Sequence, residues 1–202
     1  GPYTNVGSVL TNPDTAITAV STLYYRVAVT CSGNTAYSTP VLLTVNPAFP
    51  GGTYTINKAL PGSATNFVSF NAAKAAMECG IAGPVVFNVA PGASAYNEQL
   101  ILDSISGMSA TNTITFNGNG DTLRFAPSED NERAVIKLRG ADYVTFDSLV
   151  IDARGGSDGY GVHLLNNADN NTISRCRIIT DTASSSSGMA GIVINGGDAS
   201  VS

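Results

Sequence analysis

Short apolar runs that recur at a nearly constant distance constrain the fold of this chain more than any other feature. In the larger C-terminal part, turn residues separate these runs and no helix crosses between them, which disfavours a doubly wound α/β sheet. Residues 135–142 align with residues 162–169 at a shift of 27, and the run at Gly191 begins 30 residues after Gly161. A period of this length without helices predicts a stacked β-solenoid.

The repeat also predicts which side chains stack in neighbouring coils. The shift of 27 lays Thr145, Phe146, Leu149 and Ile151 on Thr172, Ile173, Cys176 and Ile178, respectively. We expect Phe146, Leu149 and Ile151 to point inward. Because the spacing between Phe146 and Leu149 breaks strict alternation, we expect a corner between them.

The first strand of each coil has two possible registers. Either Val162 and Leu164 point inward, or His163 and Leu165 do. We favour the first register because it leaves the lone histidine in solvent. The runs group into four coils, at residues 85–105, 112–127, 134–152 and 161–179. A fifth coil begins at GIVINGG.

A cluster of asparagines at residues 166–171 stands directly before one of the repeated strands, and Asp142 precedes the equivalent strand. Asparagine tolerates the left-handed backbone conformation of a sharp bend, and its side chains can stack as hydrogen-bonded ladders. We therefore place the cluster at the larger turn of a coil.

Residues 1–46 carry a different pattern, with three strand-like runs: TAITAV, LYYRVAVTCSG and STPVLLTVNP. Alternating Tyr25, Val27 and Val29 have the period of a half-buried strand, and SGNTAYS has the composition of a hairpin turn between the last two runs. Three strands are too few to close a sandwich. The prolines and glycines of NPAFPGG, residues 46–52, mark a linker.

One helix is predicted, over residues 66–79, with Thr65 or Asn66 as its N-cap and Gly80 after its end. Its apolar stripe consists of Phe67, Phe70, Ala73 and Met77. We expect this stripe to pack against another apolar surface of the protein. The chain therefore divides into three parts: residues 1–46, a linker and entry strand at 47–65, and the helix with the first coils at 66–202.

The repeated part resembles the right-handed parallel β-helix of the pectate-lyase-like superfamily, over roughly residues 50–202. The resemblance implies that the helix is an N-terminal cap. The run SFNAAKAAMECGIAGPVVFNVAPGASAYNEQLIL is similar to the capping entry of large, secreted, multi-domain surface proteins of Bacteroidetes, often exported by type IX secretion. It therefore implies an all-β, secreted or cell-surface protein, with further domains of the same parent chain as neighbours.

Residues 1–46 resemble the closing E, F and G strands of an immunoglobulin-like domain, in which a Tyr-Tyr pair opens strand F. Tyr24 and Tyr25 carry this resemblance, which implies a partial β-sandwich at the start of the chain. Because strands B and C are missing and the fifth coil stops early, we expect the chain to be a piece of a longer protein.

The composition excludes some partners. The chain is 43% hydrophobic and 12% charged, and its formal net charge is −5. Nucleic acids and anionic membranes attract basic surfaces, so we expect neither as a partner. No apolar run reaches 18 residues, so no membrane span is expected.

The three cysteines are widely spaced and form no metal motif. We expect Cys79 and Cys176 to be buried thiols, whereas Cys31 ends a strand whose disulfide partner could lie outside this chain.

The segment DARGGSDGYG, residues 152–161, is the nearest material for catalysis. The resemblance implies a lyase chemistry in which Arg or Lys is the base beside calcium held by carboxylates. Arg154 and Lys137 are the candidate bases, and Asp152 and Asp158 are the candidate calcium ligands. The alternative is a glycine-rich loop whose polar residues face water. The motifs of polygalacturonases are absent from the sequence.

Basic residues are concentrated between positions 124 and 177, and such a concentration could bind an acidic glycan. Lys137 and Arg139 alternate with inward-pointing residues, so both face outward, and Arg175 and Arg177 flank Cys176 on a different face. Two faces make two small basic patches rather than one groove. The alternative is that these residues are ordinary solvent-exposed side chains that bind no ligand. The candidate ligand-binding residues are Lys137, Arg139, Arg154, Asp158 and Tyr160. His163 is expected to be an ordinary outward residue.

Three functions remain open at this point. The first is a non-catalytic, extracellular structural or adhesive module that binds glycans weakly and needs no cofactor. The second is a polysaccharide lyase or glycoside hydrolase of the parallel β-helix type, with calcium in the lyase case. The third is a filament or surface-layer subunit. All three share one fold, and a fold alone does not decide between them.

Overall fold

A computed structural model describes residues 3–4, 19–92, 94–127, 132–181 and 188–197. The chain forms two compact units, Gly1–Pro47 and Ala48–Ser202. In the described part of the chain, no helix has the length and apolar character that a membrane crossing requires.

The N-terminal unit holds four short strands in two antiparallel pairs. They are β1 (Leu23–Tyr25), β2 (Ala28–Cys31), β3 (Asn34–Tyr37) and β4 (Val41–Leu43), with β1 paired to β4 and β2 to β3. The hairpin turn is Ser32-Gly33, where φ is 49° and 79°, as a type I′ turn requires.

Three expectations for the N-terminal unit are wrong. LYYRVAVTCSG forms two strands, and residues 34–37 pair as β3 although their composition suggested part of a turn. Val27, between β1 and β2, and Val29, in β2, are exposed rather than half-buried. Much of TAITAV lies outside the described residues.

The C-terminal unit is a parallel β-solenoid of about five turns. Its entry contains β5 (Gly52–Ile56), β6 (Asn66–Phe67) and helix α1 (Phe70–Ala76). Four strand triplets follow along the chain: β7 (Val85–Val89), β8 (Tyr96–Asn97) and β9 (Leu100–Asp103); β10 (Ile114–Asn117), β11 (Thr122–Arg124) and β12 (Ala134–Arg139); β13 (Val144–Asp147), β14 (Val150–Asp152) and β15 (Gly159–Leu165); β16 (Thr172–Ser174), β17 (Arg177–Ile179) and β18 (Met189–Ile194). The fold class is therefore all-β.

Each triplet contributes one strand to each of three parallel sheets. The first sheet has the order β16-β13-β10-β7-β5-β6, the second β17-β14-β11-β8, and the third β18-β15-β12-β9. The predicted coils from residue 112 onward split these triplets differently, because the alternating pattern does not mark where a turn begins.

Equivalent side chains stack inside the solenoid as the repeat predicted. The rings of Phe87, Phe116 and Phe146 form a column with centroid separations of 5.1 and 5.2 Å, and Ile173 continues it. Leu149 is buried, and the predicted corner lies at Ser148, where φ is 52°. A side chain that stacks on an equivalent one in the next turn is removed from water along its whole length.

The asparagine cluster changes the register by one residue. The shift is 27 in the first sheet, where Phe146 pairs with Ile173, but 26 in the third, where Ile136 pairs with Val162. The turn at 166–171 therefore holds one residue more than its predecessor. Asn166, Asn167 and Asn170 have φ between 55° and 57°, which confirms that this turn uses left-handed backbone.

Helix α1 is shorter than predicted. Ser69, rather than Thr65 or Asn66, is its N-cap and accepts a hydrogen bond from Ala72 N at 3.0 Å. The reason is that Asn66 and Phe67 pair with β5 and so cannot start a helix. Of the predicted apolar stripe, Phe70, Ala73 and Met77 are fully buried, whereas Phe67 lies in β6 and is half-buried. The carboxylate of Glu98 accepts bonds from Phe70 N and Asn71 N, which secures the first turn of the helix.

The cysteines follow the expectation only in part. Cys79 is exposed, so its predicted burial is wrong. It follows the short helix on the side that faces away from the core. Cys176 is half-buried and packs against the core, and burial raises the pKa of its thiol.

Candidate functional site

Most of the predicted site residues lie where the second sheet connects to the third. In the third turn this connection runs from Asp152, which ends β14, to β15, which contains Tyr160. In the turn before, Arg124 ends β11 and Arg133 immediately precedes β12. The parallel stacking of turns therefore brings residues about one repeat apart to the same edge of the solenoid.

Asp152 is the centre of the first group at this edge. Its side chain is 1% exposed and accepts hydrogen bonds from both Arg124 and Arg154. Arg124 donates through Nε at 2.9 Å and Nη2 at 2.6 Å, and Arg154 through the same two nitrogens at 2.9 Å each. The bonds from Arg154 and then Arg124 hold the pKa of Asp152 far below its usual range, and Asp152 in turn raises the pKa of Arg154.

The hydrogen bonds of Asp152 bear on its predicted role as a calcium ligand. Both oxygens of Asp152 are already hydrogen-bonded to guanidinium groups, and Asp158 forms a separate ion pair with Arg133 at 3.7 Å. The structure therefore gives the two candidate calcium ligands different arginine partners. Within the described ranges, no three His, Cys, Asp or Glu side chains come together as a metal site.

Lys137 and His163 form a second group, on the outer face of the third sheet. They are neighbours on β12 and β15, and each is only 2% exposed. Ile136 and Val162 point into the core as predicted, so the favoured register is confirmed. The expectation that His163 lies in solvent is wrong. Alternation correctly puts Lys137 and His163 on the outer side, but it does not show that other residues cover that side.

Tyr160 packs beside His163 in this second group. The two rings are edge to face, with centroids 5.6 Å apart and an interplanar angle of 87°. His163 Nε2 lies 2.8 Å from Asn195 Oδ1, which joins β15 to the residue after β18. Among the described residues, the buried hydroxyl of Tyr160 has no hydrogen-bond partner. The group is thus a buried polar layer, which substrate could reach only if the covering residues moved.

Arg139 lies apart from both groups. It is two residues beyond Lys137 and donates to Asp103 on β9, through Nε at 2.5 Å and Nη2 at 3.1 Å. These bonds lower the pKa of Asp103. The predicted ligand-binding residues therefore lie in four places: Arg154 beside Asp152, Asp158 beside Arg133, Lys137 and Tyr160 on either side of His163, and Arg139 beside Asp103.

Ion pairs also connect neighbouring turns of the solenoid, and none of these pairs was predicted from the sequence. Arg124 pairs with Asp152 and Arg175 with Asp147, each across 28 residues, and Arg139 pairs with Asp103 across 36. The bond from Arg175 lowers the pKa of Asp147. An opposite charge about one repeat away was the signal that could have found these pairs.

Comparison of the chain with protein-family models, with curated proteins and with solved structures gave no match. The sheet topology therefore supports a parallel β-helix without assigning it to a superfamily.

Proposed function

We propose that this chain is a non-catalytic structural and adhesive module of a secreted or cell-surface protein. The observation that carries the proposal is the network of ion pairs between turns. Arginines that were candidates for chemistry bond to carboxylates on the same or a neighbouring turn, so their charge serves to join the solenoid together.

The two candidate bases support this proposal over the lyase alternative. A general base must reach the substrate and give up its own proton beforehand. Arg154 is held by Asp152, which raises the pKa of its guanidinium. Lys137 is buried beside His163. Burial keeps Lys137 from a polysaccharide chain, whereas Arg154 is half-exposed but holds its proton too firmly to act as a base.

The solenoid suits a structural role because each turn contacts only its neighbours and the length grows with the number of turns. We further propose that it is a right-handed helix of the pectate-lyase-like type and that α1 caps its first turn. The burial of Phe70 and Met77 supports the cap. The immunoglobulin-like character of residues 1–46, and the origin in type IX-secreted proteins of Bacteroidetes, extend this proposal and rest on the sequence resemblance.

A cleavage assay tests the proposal. The 202-residue chain would be incubated with polygalacturonate, alginate and chondroitin, with calcium or with a chelator. Unsaturated uronate would be followed by ultraviolet absorbance and new reducing ends by a colorimetric assay. We expect no cleavage in any condition.

Calcium-dependent cleavage would contradict the proposal. If that cleavage disappeared in Arg154→Ala or Lys137→Ala but survived in Arg175→Ala, the lyase alternative would replace the proposal of a non-catalytic module. Arg175 is a suitable control because it is exposed and paired with Asp147, away from the connection between the second and third sheets.

A further inference from the structure

The outer face of the second sheet gathers three arginines from three consecutive turns. In β11, β14 and β17 the middle residue points inward, so the residues that flank it face outward. This places Arg124 and Arg177 on the outer face, and Arg154 joins them through its bonds to Asp152. We call Arg124, Arg154 and Arg177 the arginine face.

Asp152 fixes the orientation of two of these guanidinium groups. Arg124 and Arg154 both use Nε and Nη2 to bind it, and their Nη1 groups take no part in those bonds. The two side chains are 47% and 51% exposed, although the carboxylate beneath them is buried. Asp152 is thus a positioning residue that holds two partly exposed donors in place without removing them from solvent.

Arg177 supplies a third donor that is not engaged. It is exposed, and in the described part of the chain its side chain makes no ion pair or hydrogen bond. Three guanidinium groups therefore stand against one buried carboxylate, Asp152. Asp181 is the other acid that acts on Arg154, more weakly than Asp152 does. The face is locally positive on a chain whose formal net charge is −5.

We propose that the arginine face binds an acidic polysaccharide, with carboxylate or sulfate groups of successive sugars contacting successive turns. Guanidinium groups match these anions because they donate two parallel hydrogen bonds. Arg124 and Arg177 lie two strands apart and are also offset by two residues along the strands, because Arg124 is level with Asp152 and Arg177 with Val150. Neighbouring strands lie about 4.7–4.9 Å apart and the rise is about 3.3 Å per residue, so the Cα atoms of the two arginines are about 11–12 Å apart. An extended chain with one charge per sugar can therefore contact both.

Two features favour a glycan over a nucleic acid. Duplex DNA carries one charge per about 1.7 Å, and its binding relies on neutralising many phosphates. Three arginines neutralise few, and the rest of this acidic chain repels a dense polyanion. The strands β11, β14 and β17 also carry no aromatic side chain on which bases could stack.

This inference rests on the proposed adhesive function and is tested separately from it. Binding of polygalacturonate oligomers to the 202-residue chain would be measured by titration calorimetry at several salt concentrations, with dextran oligomers as the neutral comparison. The test variant is the triple substitution R124Q/R154Q/R177Q. The matched control is R26Q/K74Q/R175Q, which removes the same charge elsewhere.

We expect the oligomers to bind in a salt-dependent manner and dextran not to bind. The arginine-face variant should lose about tenfold or more in affinity, which corresponds to about 1.4 kcal/mol, and the control should stay within about twofold. Because R124Q and R154Q disturb Asp152, the single variant R177Q provides a second test. It breaks no pair, and we expect it to fold normally and to lose about two- to threefold.

Several outcomes would overturn the inference. They are unchanged binding in both the triple variant and R177Q, an equal loss in the control, equal binding of dextran, tighter binding of duplex DNA, or no binding by the unaltered chain. Each of these leaves the non-catalytic structural role in place. Cleavage of the oligomers would instead overturn the proposed function, whichever variant retained binding.

Discussion

The N-terminal unit and the solenoid are both built from short strands with apolar alternation, but they bury those side chains very differently. Val29 in β2 is 61% exposed, whereas Phe116 in β10 and Ile136 in β12 are fully buried. The difference lies in what covers each strand. In the solenoid, equivalent side chains from the turns on either side cover it, and the two antiparallel pairs of the N-terminal unit offer no such cover.

The comparison shows that alternation identifies a strand without telling how much free energy it contributes. Burial stabilises by roughly 25 cal/mol for each Å² of apolar surface removed from water. A strand that covers nothing therefore contributes little beyond its backbone hydrogen bonds. The solenoid should carry nearly all of the stability of this chain.

The aromatic column of the first sheet offers the strongest test of this view. Phe116→Ala removes the ring that lies between Phe87 and Phe146 and leaves a cavity that neither neighbour can fill. We expect the free energy of unfolding of the solenoid to fall by about 3–5 kcal/mol, measured by urea denaturation. Phe116→Leu, which keeps most of the volume, should cost distinctly less. Equal, small effects of both substitutions would show that the column is not tightly packed.

Two glycines in the third sheet give a smaller, closely matched test. A Cβ at Gly161 would lie 2.2 Å from Cγ2 of Ile178 and 2.6 Å from the carbonyl oxygen of Gly191. Gly161→Ala should therefore cost about 1–3 kcal/mol through overpacking. Gly191→Ala, one turn later, meets nothing within 4 Å and should change stability little. If the two variants unfold at the same urea concentration, the turns are less closely stacked than the structure shows.

The ion pair at Asp152 should make the solenoid sensitive to acid. The pKa of Asp152 is lowered in the folded chain, so the unfolded chain binds a proton that the folded chain does not. The stabilisation is therefore complete above the unfolded pKa of about 3.9 and is lost as the pH falls through and below it. Water around the half-exposed Arg124 and Arg154 screens the pair, so the effect should be smaller than those of packing.

The urea midpoint of the unaltered chain should accordingly fall between about pH 6 and pH 3, and that of Asp152→Asn should fall less. Asp103 and Asp147 have lowered pKa values for the same reason, and they supply the acid sensitivity that remains in the variant. An identical pH dependence for both proteins would mean that Asp152 is not paired in solution.

The sequence was sufficient to predict the solenoid because the stacking repeats at a nearly constant distance. Phe146 on Ile173 and Ile151 on Ile178 are pairs that the repeat predicts and the structure contains. The single-residue change of register at Asn166–Asn171 could not be predicted, because left-handed backbone at Asn166 and Asn167 accommodates an extra residue without altering the apolar pattern. A local pattern fixes which side of a strand a residue occupies, but the turn fixes its partner.

The candidate site was predicted less well because burial on the outer side of a sheet leaves no periodic signal. Lys137 and His163 are on the predicted side of their strands, yet both are buried. Arg154 and Asp152 were correctly singled out, but Arg124, 28 residues before Asp152, was not connected with them. Ion pairs between turns depend on the register, so they become visible only after the register is known.

A substitution in the N-terminal unit should have the smallest effect on stability. Val29→Ala shortens a side chain that is exposed on β2, so the solvent already surrounds the atoms that are lost. We expect the free energy of unfolding of the N-terminal unit to change by less than about 0.5 kcal/mol, as for most surface substitutions. Because the chain lacks tryptophan, circular dichroism would follow the transition. A loss comparable to that of Gly161→Ala would show that β2 is covered in solution, and that the N-terminal unit buries its alternating residues after all.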